Sequence, residues 1–205
     1  FWTQVIDIEL PPIIDFERPT GGEEAITRAA ELLSNAKFPV ILNGGGAVIG
    51  GAIEASKALA ERLDAPVCCN YQHNDAFPGS HPLFVGPLGY NGSKAGMKVI
   101  SKADVVLALG NRLNPFSTLP CYGIDYWPTD AAIIQVDINP DRIGLTKPIT
   151  VGIVGDAKKV ANSILGKLSP TAGDADREER KAVVKKAKTD WDKDLATMDH
   201  EEDDL

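Results

Sequence analysis

Residues 38–46 read Phe-Pro-Val-Ile-Leu-Asn-Gly-Gly-Gly, and this stretch indicates the fold. The apolar run from Pro39 to Leu42 predicts a buried strand, which Asn43 and the three glycines end. A helical pattern follows from about Gly51 to Leu63. A strand, a glycine turn and a helix in succession are typical of parallel α/β sheets.

The same alternation continues on both sides of this stretch. A capping-box pattern from Thr20 to Glu23 predicts a first helix that runs to about Asn35. Asp156 is the expected N-cap of a late helix. Further strands are predicted at 66–69, 105–109, 132–136 and 149–153, and a further helix at 93–101. Because these strands are apolar throughout, we expect a doubly wound, Rossmann-like α/β fold: a parallel sheet of five to six strands with helices on both faces.

The chain divides into three predicted regions. Residues 1–19 carry three prolines and are expected to be a linker from a preceding domain. Residues 20–168 form the central α/β domain, and 169–205 form a C-terminal charged helix that extends towards a following domain. One apolar face of that helix requires a partner surface; it consists of Val184, Ala187, Trp191, Leu195 and Met198. The chain starts with Phe1, which suggests a piece of a longer protein.

Composition excludes several classes of partner. The 205 residues carry a net charge of −8, and 171–205 contain twelve acidic and seven basic residues, so the main body is close to neutral. Such a chain offers no positive field for nucleic acid or an anionic membrane surface, so neither is an expected partner. The three cysteines cannot all pair, which favours buried thiols in a reducing compartment and a cytoplasmic location.

Candidate binding residues follow from the sheet. Ligands of open parallel sheets bind beyond the carboxyl ends of the strands, where glycines admit a phosphate to the main chain. Arg112 could pair with that phosphate, and Asp137 could accept hydrogen bonds from ribose hydroxyls. The predicted nucleotide-binding residues are Gly44, Gly45, Gly46, Gly89, Tyr90, Asn91, Gly92, Asn111, Arg112, Asp137 and Asn139.

Simpler explanations exist for the same residues. The dinucleotide fingerprint is incomplete because Ile49 stands where its third glycine belongs, and the second strand ends in Asn70 rather than an acid. The glycines could serve only as tight turns, and Asp137 could hydrogen-bond its own backbone. The loop that contains His73 and His81 is expected to be ordered by its own side chains. We predict neither a metal site nor a catalytic residue.

Several motifs together resemble the central domain of thiamine-diphosphate enzymes of the acetolactate synthase type. They occupy residues 38–46, 77–82, 86–92, 103–113 and 135–141. Residues 68–77, 114–120, 122–127 and 198–204 further resemble one branch of that family, the acetyltransferases that release sulfite and form acetyl phosphate.

The resemblance implies a scaffold role for this chain. Thiamine diphosphate and magnesium would be bound by flanking domains of the same polypeptide, in a homodimer or homotetramer, and this domain alone would be inactive. The equivalent domain in relatives binds FAD, an ADP-like ligand or nothing, and Tyr90-Asn91 differs from the Met-His of the flavin-binding members. Two alternatives are the FAD-binding central domain of an acetolactate synthase or related carboligase, and a stand-alone nucleotide-binding module.

Overall fold

The six strands in the described part of the chain form one parallel sheet. The computed structural model describes residues 3, 5, 7–12, 17–169 and 174–198. The strands lie in the order β3-β2-β1-β4-β5-β6, and each pairs with its neighbours in parallel, which confirms the predicted doubly wound sheet. Their bounds are β1 (Pro39–Asn43), β2 (Val67–Asn70), β3 (Phe84–Leu88), β4 (Val105–Leu109), β5 (Ala132–Asp137) and β6 (Val151–Val154).

Helices cover both faces of the sheet. They are α1 (Glu23–Asn35), α2 (Gly45–Ile49), α3 (Ile53–Leu63), α4 (Lys94–Ile100), α5 (Pro115–Thr118), α6 (Ala157–Lys167) and α7 (Asp174–Met198). One apolar core lies between the sheet and α1, α3 and α6, and a second lies between the sheet and α4 and α7. Strands β1, β2 and β4 are buried along their whole length, as their apolar sequences predicted.

Strand β3 was not predicted, because its sequence contains Gly86 and Pro87. Proline removes a donor from the ladder and is therefore found mainly on edge strands. Here β3 is an edge strand, and its pairing with β2 is irregular between Val67 and Cys68. The edge position is what makes this sequence compatible with a strand.

The predicted capping box of α1 is wrong. Its N-cap is Gly22, which makes no side-chain cap, whereas Thr20 forms an antiparallel bridge with Gly155 beside β6. The preceding segment is fastened there as well, since Arg18 pairs with Asp156 at 2.9 Å. These tertiary contacts override the local capping pattern. Part of the predicted linker 1–19, and of the extension beyond 169, lies outside the described residues, and the three-region division remains a prediction.

Helix α7 packs on the sheet domain through the second core. Val184 and Ala187 are buried there, whereas Leu195 and Met198 near its end are exposed. Arg180 is also buried, with 2% of its surface exposed, because its guanidinium donates hydrogen bonds to main-chain carbonyls of the domain. The domain therefore supplies the partner surface for the first half of the predicted apolar face.

Candidate functional site

The carboxyl ends of β1 and β4 mark the point where the sheet reverses its winding direction. Chain connections lead from β1 towards β2 and from β4 towards β5, so the crossovers diverge and leave a crevice between them. A cavity of about 690 Å³ opens there. Residues from five strand ends and from the incoming segment line it: Glu17, Arg18, Pro19, Gly45, Gly46, Ile49, Gly50, Asn70, Gln72, His73, Gly110, Arg112, Asn114, Asp137, Ile138, Gly155, Asp156 and Ala157.

The glycine triplet packs closely against the residues at and after the end of β4. The Gly44 amide donates to the Leu109 carbonyl at 3.0 Å, and the Gly46 amide donates to the Gly110 carbonyl at 2.9 Å. A Cβ on Gly44 would collide with the Gly110 carbonyl oxygen. The predicted glycine turn is wrong, because Gly44 is the extended N-cap of α2 and Gly45 and Gly46 lie inside that helix; the close approach of residues 110 and 111 explains Gly44. Gly45 and Gly46 also line the cavity, and their contact with a phosphate remains a prediction.

The loop after β4 contains a buried structural residue, Asn111, followed by an exposed cation, Arg112. Asn111 is fully buried; its amide donates to Asn70 Oδ1 at 2.8 Å, and its Oδ1 accepts the Leu113 amide at 2.9 Å. This side chain ties the ends of β2 and β4 together beneath the cavity. Arg112 is exposed and lines the cavity wall, where an anionic group would be within its reach.

Asp137 and Asn139 have different positions at the end of β5. Asp137 lines the cavity, and its Oδ1 accepts the Asn139 amide at 2.9 Å. Asn139 caps the short 3-10 helix 140–142 through the Asp141 amide and does not line the cavity. Asp137 thus makes the predicted turn hydrogen bond and also faces the cavity, and its contact with a ribose hydroxyl remains a prediction.

The segment from Gly89 to Gly92 lies apart from the cavity. It follows the edge strand β3, and the Tyr90 amide donates to the Phe116 carbonyl at 2.9 Å. Gly89 has a φ of +83°, and a Cβ there would collide with the same carbonyl oxygen. The Tyr90 ring makes an edge contact with Tyr71, with centroids 6.3 Å apart. The structure therefore places this predicted group, which includes Asn91, against the α5 loop.

Sequence reasoning missed several cavity residues. His73 lies directly over Gly45, since a Cβ on that glycine would be 2.5 Å from His73 Nε2. Arg18 and Asp156 form one wall as an ion pair. The strand-end rule could have identified Asn70, because it ends β2 at the same edge. No local signal predicted that the segment at 17–19 would reach the cavity.

The pKa of Asp156 in the cavity is lowered, whereas the pKa values of the buried thiols are raised. Burial alone would raise the pKa of Asp156, but the Arg18 guanidinium and the amides of Lys158 and Lys159 outweigh it and hold that pKa below its ordinary value. Burial raises the pKa of Cys68 well above its ordinary value, and burial with nearby Asp75 raises that of Cys69 to about 12. Both thiols are therefore protonated core groups, as expected from their place in a strand.

The described ranges contain no group of three or more His, Cys, Asp and Glu side chains that could hold a metal ion. Within the same ranges, no helix is both long and apolar enough to span a bilayer.

Comparison with known proteins identifies close relatives. The chain is 76% identical over 204 residues to the sulfoacetaldehyde acetyltransferase of Roseovarius nubinhibens, covering 100% of this chain and 34% of that protein. It is 66% identical over 203 residues to the enzyme of the same name from Rhodobacter capsulatus, covering 99% and 34%. The acetolactate synthase large subunit of Corynebacterium glutamicum is more distant, at 35% over 164 residues, covering 78% and 26%. The chain thus spans about a third of the length of the two acetyltransferases.

Solved structures share the fold. The chain superimposes on benzoylformate decarboxylase from Polynucleobacter necessarius with a TM-score of 0.63 and 22% identity, covering 83% of this chain and 31% of that chain. A sequence profile described as "Thiamine pyrophosphate enzyme, central domain" matches residues 26–164. Since that match includes most of the six-stranded sheet domain, the chain belongs to the thiamine pyrophosphate enzyme family and corresponds to its central domain.

Proposed function

We propose that this chain is the central domain of a sulfoacetaldehyde acetyltransferase, which converts sulfoacetaldehyde and phosphate to acetyl phosphate and sulfite in sulfonate degradation. The observation that carries the proposal is the 76% identity along the whole chain to an enzyme of that name. Identity to an acetolactate synthase is only 35%, over 78% of the chain. A sulfite-releasing acetyltransferase is therefore favoured over a carboligase.

In this proposal the chain is a scaffold rather than a reaction centre. Thiamine diphosphate, when bound with magnesium by the flanking domains, supplies the electron sink for the reaction. This chain supplies a rigid sheet with the incoming segment fastened beside β6 and α7 fastened on α4. The protonated thiols of Cys68 and Cys69 support a structural role for the strand that carries them. We expect the isolated 205-residue chain to form no acetyl phosphate.

The cavity between β1 and β4 is proposed to bind an FAD or ADP-like nucleotide. Its volume of about 690 Å³ lies within the range of small-molecule and cofactor sites. Arg112 would hold the phosphate, and Asp137 would accept the ribose hydroxyls. Gly45 and Gly46 would admit the ligand to the main chain. Calorimetric titration of the full-length protein with FAD, ADP and coenzyme A tests this assignment, and absence of binding for all three would leave the scaffold role alone.

The full-length protein provides the test of the reaction. We expect it to release sulfite from sulfoacetaldehyde when phosphate, thiamine diphosphate and magnesium are supplied, with acetyl phosphate formed in equal amount. Pyruvate is the matched control substrate. Consumption of pyruvate without sulfite release would instead establish a carboligase of the acetolactate synthase type.

We further propose that the full-length protein is a cytoplasmic homodimer or homotetramer. All three thiols of the chain are free, and two of them are buried, which supports a reducing compartment. Sedimentation of the full-length protein would measure its oligomeric state, and a monomer would contradict this part of the proposal.

A further inference from the structure

A second pocket adjoins the main cavity at the same edge of the sheet. It has a volume of about 290 Å³ and shares Gln72, Arg112 and Asn114 with the main cavity. Beyond them it extends to Arg142, which follows β5 and was not among the predicted site residues. We call this space the side pocket.

The side pocket contains two cations and no acid. Arg112 and Arg142 both line it, and none of its lining residues is Asp or Glu. In the part of the chain that the structure describes, no carboxylate lies within ion-pair distance of either guanidinium. Two like charges that line one pocket repel each other, and an anion bound between them would offset that repulsion.

A buried amide fixes the two arginine-bearing loops relative to each other. Gln135, only 1% exposed, donates through Nε2 to the carbonyls of Asn111 and Arg142, at 3.1 and 3.0 Å. Its Oε1 accepts the Gly144 amide at 2.8 Å. One fully satisfied side chain therefore holds both loops, and the loops carry Arg112 and Arg142 on rigid main chain.

Another hydrogen bond joins the same two loops. Thr146 lines the side pocket, and its hydroxyl donates to the Leu113 carbonyl at 2.7 Å. The loop after β4 and the turn after β5 are thus joined by both a buried amide and a hydroxyl. The main chain that carries the two arginines is thus fixed before any ligand arrives, which reduces the backbone entropy lost on binding.

We propose that the side pocket binds a tetrahedral oxyanion, inorganic phosphate or a small sulfonate, between Arg112 and Arg142. Forked guanidinium donors match the oxygens of both groups. Phe116 and Leu145 line the same pocket and are 61% and 62% exposed, so a short carbon chain attached to the anion would have apolar contacts. The inference shares Arg112 with the proposed nucleotide site. It does not depend on the proposed reaction, because binding is measured without turnover.

Equilibrium dialysis of radiolabelled inorganic phosphate tests the site. The full-length protein, freed of thiamine diphosphate and held at constant ionic strength, is compared with R142Q, R142K and R28Q. Arg28 is an exposed arginine of α1, so R28Q removes the same charge far from the pocket. We expect R142Q to weaken one class of phosphate site by about tenfold or more, since it removes a charged, forked donor. R142K keeps the charge and should weaken it less, and R28Q should match wild type within about twofold.

Competition with methanesulfonate and with ADP identifies the anion and can overturn the proposal. Methanesulfonate that displaces the phosphate would establish a site for small sulfonates as well, and failure to displace it would restrict the site to phosphate. Equal phosphate affinity in wild type and R142Q, or no phosphate binding by wild type, would overturn the assignment. Displacement by ADP at lower concentration than by phosphate would overturn it too, because the pocket would then be part of the nucleotide site. Loss of sulfite release with phosphate binding intact would contradict only the proposed function.

Discussion

Arg180 Nη2 donates a hydrogen bond of 3.0 Å to the carbonyl oxygen of Leu63, the last residue of α3. The same guanidinium donates to the Lys37 carbonyl, and its Nε donates to the Asp64 carbonyl at 3.4 Å. Carbonyls at a helix C-terminus lack partners within the helix and carry partial negative charge. A cation from α7 therefore caps α3 and fastens that helix to the sheet domain.

Replacing Arg180 should destabilise the domain strongly. R180M keeps the aliphatic stem but leaves buried carbonyls without donors, so we expect the free energy of unfolding to fall by about 2–4 kcal/mol. Urea denaturation of the 205-residue chain, followed by circular dichroism, measures the change. K185M removes an exposed cation of the same helix and should change it by less than about 0.5 kcal/mol. Equal effects of the two variants would contradict the capping role of Arg180.

Alanine at two glycines should have opposite effects on stability. G44A places a Cβ against main-chain atoms at 110 and 111, which cannot rotate away, so we expect a loss of about 2 kcal/mol or more. G166A lies in α6 with no atom within 4 Å of the new Cβ, and should add about 0.5–1 kcal/mol through helix propensity. The midpoints of thermal unfolding should move apart accordingly. A neutral G44A would mean that Gly44 and the residues after β4 do not approach so closely.

Asp156 should make stability depend on acid pH. Its pKa is lower in the folded protein than the ordinary value of about 3.9, so its charge stabilises the fold above that value. This contribution is lost as the pH falls below about 4 towards the folded pKa. D156N can still cap α6 but carries no charge, so its stability should decline less between pH 6 and pH 3 than that of wild type. Urea midpoints across this range measure the slope.

A distant carboxylate serves as the control for this slope. Asp130 lies in an exposed turn, and D130N should retain the acid decline of wild type. If D156N and wild type declined in parallel, the ion pair with Arg18 would not be responsible for the pH dependence.

Asp137 should contribute to nucleotide affinity if the cleft binds ADP. D137N preserves an oxygen for the Asn139 amide but removes the charge, so we expect ADP to bind the full-length protein about tenfold more weakly. Asp141 is close by in sequence and does not line the cavity, so D141N should leave the dissociation constant unchanged within about twofold. Calorimetry measures both. Loss of affinity in both variants would indicate a general charge effect instead of a ribose contact.

Lys94 should hold the second half of α7 in place. Its Nζ lies 2.9 Å from Asp194 Oδ2, 5.3 Å from the Tyr122 ring centroid and 5.5 Å from the Trp191 centroid. K94M removes these attractions, and amide hydrogen exchange near the end of α7 should become about threefold faster. K102M, a matched change at an exposed lysine, should have no effect there.

Much of the sheet could be predicted because its four inner strands, β2, β1, β4 and β5, are buried on both faces. The sequence of β4, Val-Val-Leu-Ala-Leu, is apolar at every position and would be unfavourable at a surface. Both ends of this strand were predicted correctly. Strand β3 contains Gly86 and Pro87, and only its edge position makes them acceptable. That position follows from the whole topology rather than from local sequence. The predicted start of α1 was also wrong because of tertiary structure, since Thr20 forms a bridge with Gly155.

The candidate site was only partly predictable. The strand-end rule located Arg112 and Asp137, because it depends on the direction of strands and not on loop conformation. It could not place His73 over Gly45 or bring Arg18 to the cavity wall, since those positions depend on how long segments pack. It also included Gly89 to Gly92, whose strand lies at the sheet edge, two strands away from β1.

The order of the strands also sets a distance. The bridge between Thr20 and Gly155 lies beside β6, whereas α7 packs on α4 and β3, the opposite edge. Five intervals between adjacent strands, each about 4.8 Å, separate those edges by about 24 Å. The contacts of α7 with α4 and β3 are thus held about 24 Å from the Thr20 bridge, at a separation that the number of strands sets.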